Sequence, residues 1–120
     1  RRRAGWALVK LGAPAVKALI SSLREINTYT RERAAQTLRW IGNESAVTSL
    51  LCALKDKEPA VVSSAAWALG RIGSPKALAA LQELVNNENV DVRENAAEAI
   101  ERIMSNKEKM AYYTETRQKP

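Results

Sequence analysis

Residues 65–78 read Ala65-Ala66-Trp67-Ala68-Leu69-Gly70-Arg71-Ile72-Gly73-Ser74-Pro75-Lys76-Ala77-Leu78, and this stretch decides the fold because its pattern recurs along the chain. Displaced by 31 residues toward the amino terminus, Ala34-Ala35 is followed by Leu38, Ile41 and Gly42. Displaced by 31 the other way, Ala96-Ala97 is followed by Ile100 and Ile103. A first copy, Trp6-Ala7-Leu8 with Leu11 and Gly12, is offset by 30 because its turn is one residue shorter. The segments between these copies repeat too: Val16, Leu19, Ile20 and Leu23 match Val47, Leu50, Leu51 and Leu54, then Leu78, Leu81, Gln82 and Val85. A period of roughly 30 residues is that of helical solenoids.

Each unit reads as two helices. The first has apolar residues at i, i+3 and i+4 spacing and ends at a glycine suited to a left-handed cap. Pro14 and Pro75 take the same place in the following turn, where a fixed φ and a missing N–H are tolerated at a helix start. The spacing predicts helices near 4–12, 15–25, 31–41, 46–55, 61–72, 76–86 and 91–104. The paired alanines mark close helix approach, where a larger group costs about 1–3 kcal/mol through overpacking. An isolated pair of such helices leaves an apolar stripe uncovered, so stacking on the next repeat makes the core. The expected architecture is an all-α solenoid of about three and a half repeats over 1–104, divided as 4–30, 31–60, 61–90 and a partial 91–104, with a polar tail over 105–120. The fourth unit has only its first helix, and its open end, like the abrupt amino-terminal one, invites self-association. At these ends Leu8, Leu11, Ile100 and Ile103 are expected to be less buried than Leu38, Leu69, Ile41 and Ile72.

The residues 65–78 quoted above resemble the HEAT-like repeat of the phycobilisome-lyase type. Gly12-Ala13-Pro14-Ala15-Val16-Lys17-Ala18-Leu19 matches the same turn, and Val92-Arg93-Glu94-Asn95-Ala96-Ala97 resembles the beginning of a first helix. The resemblance implies a right-handed superhelical, armadillo-like scaffold. It also implies that Arg31 and Arg93 each pair with an acidic residue of the previous turn, a stitch that Val62 breaks between repeats two and three. Families of this kind include bilin lyases, which handle chromophores, and hydroxylases whose iron is held by histidine–glutamate pairs. A chain with no histidine departs from the second pattern.

Hydrophobic residues make up 46% of the 120 and charged ones 27%, which separates the chain from disordered sequences. With no histidine and one cysteine, the common zinc sites, disulfide staples and imidazole acid–base chemistry are excluded as expectations. Cys52 lacks its usual general base and reads as a buried or half-buried structural thiol rather than a nucleophile. The chain is therefore expected to be no enzyme and to need no cofactor or metal. No apolar run reaches the ~18–20 residues of a membrane span, and no leader precedes a cleavage site, which points to a cytoplasmic location. Arg1-Arg2-Arg3 running straight into a helical pattern reads as a cut within a longer parent or a processed end.

The net charge of +6 lies wholly in the first half: residues 1–60 hold 11 basic and 5 acidic groups, residues 61–120 hold 8 of each. Second helices line the concave side of such solenoids. With their apolar residues turned inward, Lys17, Ser21 and Arg24 face outward, followed by Thr48, Cys52 and Lys55 and then by Ala79, Glu83 and Asn86. This strip predicts a non-catalytic scaffold binding a protein or peptide. Trp40 joins that set, because its equivalents Lys10, Arg71 and Arg102 are charged and an exposed tryptophan is a favoured interface anchor. Trp6 and Trp67 share one register position with Gln36 and Glu98, which places the ring along a helix surface. The alternatives are chromophore handling of the lyase kind, and nucleic-acid binding through Arg1, Arg2, Arg3, Lys10, Arg31, Arg33 and Arg39. Lys17 and Arg24 add to that basic half, and Glu25, Glu32 and Glu44 interrupt it.

Overall fold

A computed structural model describes residues 12–104. Six α-helices follow one another: α1 (Gly12–Ser22), α2 (Thr28–Ile41), α3 (Val47–Ala53), α4 (Pro59–Ile72), α5 (Leu78–Leu84) and α6 (Val90–Ile103). Short 3-10 turns at Glu44–Ala46 and Pro75–Ala77 lead into α3 and α5, and there is no strand among the described residues. The all-helical repeat architecture expected from the sequence is present. The expected helix over 4–12 and the tail over 105–120 lie outside the described residues, as do Trp6, Leu8 and Leu11.

The first helices start earlier than the apolar spacing predicts, because polar residues cap α2 and α6 and Pro59 opens α4. Asn27 accepts from the N–H of Thr30 at 3.1 Å, and Asn89 accepts from those of Asp91 and Val92 at 2.9 and 3.2 Å, satisfying donors that have no partner inside the helix. At the other end α2 and α4 stop where Gly42 and Gly73 turn left-handed, at φ 64° and 78°, and return an N–H to Leu38 and Leu69. Of the second helices, α3 and α5 are shorter than expected, at 7 residues each, since their first turn is wound as a 3-10 turn, whereas α1 has 11 residues.

Helices α2, α4 and α6 form one layer and α1, α3 and α5 the other, with the core between. Ala35, Leu38, Leu50, Ala65, Ala66, Leu69, Leu81 and Ala96 are fully enclosed. Ala34, Ala35, Ala65, Ala66 and Ala96 of the alanine pairs are buried, and a close helix approach is found at Gly70, where a Cβ would stand 2.7 Å from Cα of Ala99. Ala97, the equivalent of buried Ala35 and Ala66, is exposed, since among the described residues no helix stacks beyond α6. The expected loss of burial at this end is small: Ile100 is 5% exposed against 0% for Leu38 and Leu69, and Ile103 is half-buried where Ile41 is buried and Ile72 half-buried. The inner side of α6 is already covered by α4 and α5, so the open end shows on its outer side alone. No described helix is long and apolar enough to cross a membrane.

Candidate functional site

The turns joining one repeat to the next are built alike. Glu25, Asp56 and Asn87 donate their backbone N–H to Ser22, Ala53 and Leu84 at 3.2, 3.1 and 3.1 Å. Arg31 threads into this structure. Its Nη1 donates to the carbonyls of Glu25 and Ile26 at 2.8 and 2.7 Å, and its Nε to Oδ2 of Asp56 at 2.7 Å. Both side chains of the Arg31–Asp56 pair are 10% exposed. Burial alone raises the Asp56 pKa, but the Arg31 bond and charge and the Glu58 N–H outweigh it and hold the carboxyl below its usual value. Arg93 repeats half of the arrangement, donating to the carbonyls of Asn87 and Glu88 at 2.8 and 3.2 Å. The expected stitch to a previous acidic side chain is thus corrected. The arginine takes the previous turn by its backbone, and the acid it pairs with belongs to the next turn.

The outward strip of the second helices is placed as the repeat logic requires. Lys17, Ser21, Arg24, Thr48, Cys52, Lys55, Ala79, Glu83 and Asn86 are all exposed, while Val16, Leu23, Val47, Leu50, Leu54 and Leu81 on the same stretches are buried. Arg24, Thr48 and Cys52 come together around a crevice of about 130 Å³ between α1 and α3, floored by Ile20 and Leu23. Exposure corrects the structural reading of Cys52: position 52 falls on the polar side of α3, in register with Ser21 and Glu83. Among the described residues no three Cys, Asp or Glu side chains converge as a metal site requires.

A second cluster, formed by first helices, was only half legible. Trp40 is 58% exposed, as its charged equivalents imply, but it also packs against Trp67, ring centroids 5.9 Å apart and planes tilted by 50°. The guanidinium of Arg39 lies 5.0 Å from the Trp40 ring and 4.4 Å from that of Trp67. Arg71 stands 5.5 and 5.6 Å from the same two rings, and Arg102 is 5.5 Å from Trp67. Nε of Arg39 is enclosed without a hydrogen-bond partner, so the ring faces supply what stabilises its charge there. The spacing of 27 between Trp40 and Trp67, four short of the repeat, is the signal: four residues are one helical turn, which sets the rings diagonally across neighbouring first helices.

The basic residues proposed for nucleic acid scatter. Arg31 is buried and committed to the turns, a correction to its place in that set. Arg33 is exposed, 6.0 Å from the ring of Tyr29, and Arg39 is half-buried in the tryptophan stack. Arg1, Arg2, Arg3 and Lys10 lie outside the described residues.

A family model for HEAT repeats matches residues 1–64 and 16–101. No curated protein matches the chain. A solved structure of human deoxyhypusine hydroxylase in complex with glycerol is similar, with a TM-score of 0.70 and 25% identity. The alignment covers 100% of this chain and 40% of that one. This corrects the expectation that the chain is no enzyme. A fold matched over the chain's whole length occurs inside an enzyme, so two-helix repeats do not by themselves separate scaffold from catalyst.

Proposed function

Because this chain belongs to the HEAT-repeat family, we infer that it is a segment of a helical repeat scaffold that binds a protein or peptide along its second helices. One observation carries the reading. Nine residues at matching positions of α1, α3, α5 and the turns after them are exposed together, while Leu23, Leu50, Ala53, Leu54 and Leu81 between them are buried. The strip offers Lys17, Arg24 and Lys55 at one end and Glu83 at the other, which favours an extended partner acidic toward its contact with α1 and α3. The crevice at Arg24, Thr48 and Cys52 is where such a partner would seat a side chain. Within the family, the Gly73-Ser74-Pro75 turn supports assigning the repeats to the phycobilisome-lyase type.

The test is a peptide array screened against the 120-residue chain, with hits re-measured on a variant carrying Arg24→Glu and Lys55→Glu. Binding weakened about tenfold by the double change supports the strip, since rim charges facing an acidic partner act in this range. Binding that survives unchanged removes it.

A second reading, nucleic-acid binding, is favoured by the stack of Trp40 and Trp67 with Arg39 and Arg71. Aromatic faces flanked by guanidinium groups suit single-stranded bases. An oligonucleotide titration at two salt concentrations, repeated with Trp40→Ala, tests it. Salt-dependent binding that the variant weakens supports this reading, and an absence of binding rejects it.

A further inference from the structure

The repeat-to-repeat turn occurs three times, but only two copies hold an arginine. Arg31 and Arg93 seat their guanidinium groups on the carbonyls of Glu25 and Ile26 and of Asn87 and Glu88. The residue at the corresponding position of the middle copy is Val62, and the corresponding carbonyls are those of Asp56 and Lys57. The turn itself is unchanged. Asp56 donates its N–H to Ala53 at 3.1 Å as Asn87 does to Leu84, and Val62 donates to Glu58 at 3.2 Å as Arg31 does to Asn27 at 3.2 Å. Among the described residues nothing donates to the carbonyls of Asp56 or Lys57.

Where the missing side chain would lie there is a cleft of about 430 Å³, with Val62 and Val92 as its apolar floor and Asp56, Lys57, Asn87 and Glu88 around it. That size lies within the roughly 300–1,000 Å³ range of ligand pockets. Two turn carbonyls are the acceptors that Arg31 and Arg93 both use, and opposite them Asn87 stands in the place of Asp56, with an amide NH2 where Asp56 has Oδ2. Oδ1 of Asn87 accepts the N–H of Asn89 at 2.9 Å, as Oδ1 of Asp56 accepts that of Glu58 at 2.9 Å, so the two side chains are held in the same way. Glu88 supplies a negative charge at the rim, and the valines offer a surface to the methylenes of an arginine stem.

We propose that this cleft is a binding site for a guanidinium group, an arginine side chain presented by a partner that completes the ladder between Arg31 and Arg93. Lysine fits less well, because its ammonium is a point charge without the planar fork by which Arg31 and Arg93 each bridge two turn carbonyls. The site shares none of the nine strip residues, and Asp56 alone borders both this cleft and the crevice beside the strip, so it is tested separately from the function proposed above.

The test uses the 15N-labelled 120-residue chain titrated with N-acetyl-arginine amide, and separately with the uncharged isostere N-acetyl-citrulline amide. Saturating shifts confined to residues 56–58, 62 and 87–92, and about tenfold weaker binding of citrulline, are expected from the worth of charge-assisted hydrogen bonds. Val62→Arg, which places the chain's own guanidinium in the cleft, should abolish those shifts and raise the melting temperature. Absence of saturation, equal response to citrulline, or binding retained by a folded Val62→Arg chain would each overturn the proposal. The arginine–citrulline comparison needs no variant and decides the matter even where Val62→Arg fails to fold.

Discussion

Helix α4 is held by its two neighbours in different ways. On the α2 side the contact is made by large polar and aromatic groups: Arg31 pairs with Asp56 just before α4, and Arg39 lies against Trp40 and Trp67. On the α6 side the two backbones come together at Gly70 and Ala99, with no room for a methyl group. Arg39, Gly70 and Glu101 occupy the same register position in the three first helices. The two modes thus go with different residues at one position, a long arginine beside the tryptophan rings and a glycine at the close approach.

The largest effect should come from breaking the polar junction at its buried pair. Arg31→Ala leaves the Asp56 carboxylate and the Glu25 and Ile26 carbonyls without their donor, and loss of one member of a buried pair costs about 3–5 kcal/mol. With side chains 10% exposed the lower end applies, and denaturant unfolding should show a loss of about 3 kcal/mol. A loss under about 1 kcal/mol would mean that the pair behaves as a surface ion pair and that the first junction is held by packing alone.

The close junction breaks next. Gly70→Ala puts a Cβ 2.7 Å from Cα of Ala99, an atom of a neighbouring backbone that cannot rotate away. Separating α4 from α6 should cost about 2 kcal/mol, within the usual cost of overpacking, although alanine is the better helix former. Amide exchange should rise in α6 and leave α2 unchanged. A stabilised variant would show that the close approach is not needed.

The tryptophans separate packing from exposure within the polar junction. Trp67 is half-buried and touched by three guanidinium groups, so Trp67→Ala should cost about 2 kcal/mol, combining lost area with lost cation–π contact. Trp40 is 58% exposed, and Trp40→Ala should cost about 0.5–1 kcal/mol, the range of one exposed cation–π contact. Equal losses by thermal denaturation would mean that the two rings act as one unit.

How much of this was legible follows from what repeats. Periodicity located the helices, the alanine contacts and the strip, because each depends on a residue's place within its own unit. Trp40 showed itself as exposed by comparison with Lys10, Arg71 and Arg102, yet its contact with Trp67 was missed: that contact joins different positions of adjacent units, and copies compared in register cannot show it. The partner of Arg31 was assigned to the wrong turn for a related reason. A long side chain at a unit boundary reaches both neighbours, and spacing alone does not say that the backbone of one and the carboxylate of the other are taken. The exposure of Cys52 was readable from Ser21 and Glu83, against the general tendency of cysteine to be buried.

The smallest effect is confined to acid, and it distinguishes the two junctions by their chemistry. The Asp56 carboxyl is held below its usual value of 3.8, with the Arg31 guanidinium as the chief charged cause. A group depressed in the folded state contributes stability that is fully present above its unfolded pKa and is lost as pH falls through the folded one. The gap in stability between the unmodified chain and Arg31→Ala should therefore be constant above about pH 5 and narrow as the pH falls below 3.8. It should not close, because the bonds from Arg31 to the Glu25 and Ile26 carbonyls do not titrate. The gap for Gly70→Ala involves no ionisable group and should stay level over the same range. Parallel denaturant titrations of the three chains from pH 7 to pH 3 measure both. If both gaps stayed level, the carbonyl bonds alone would carry the stabilisation at Arg31, and the difference between the junctions would reduce to side-chain size.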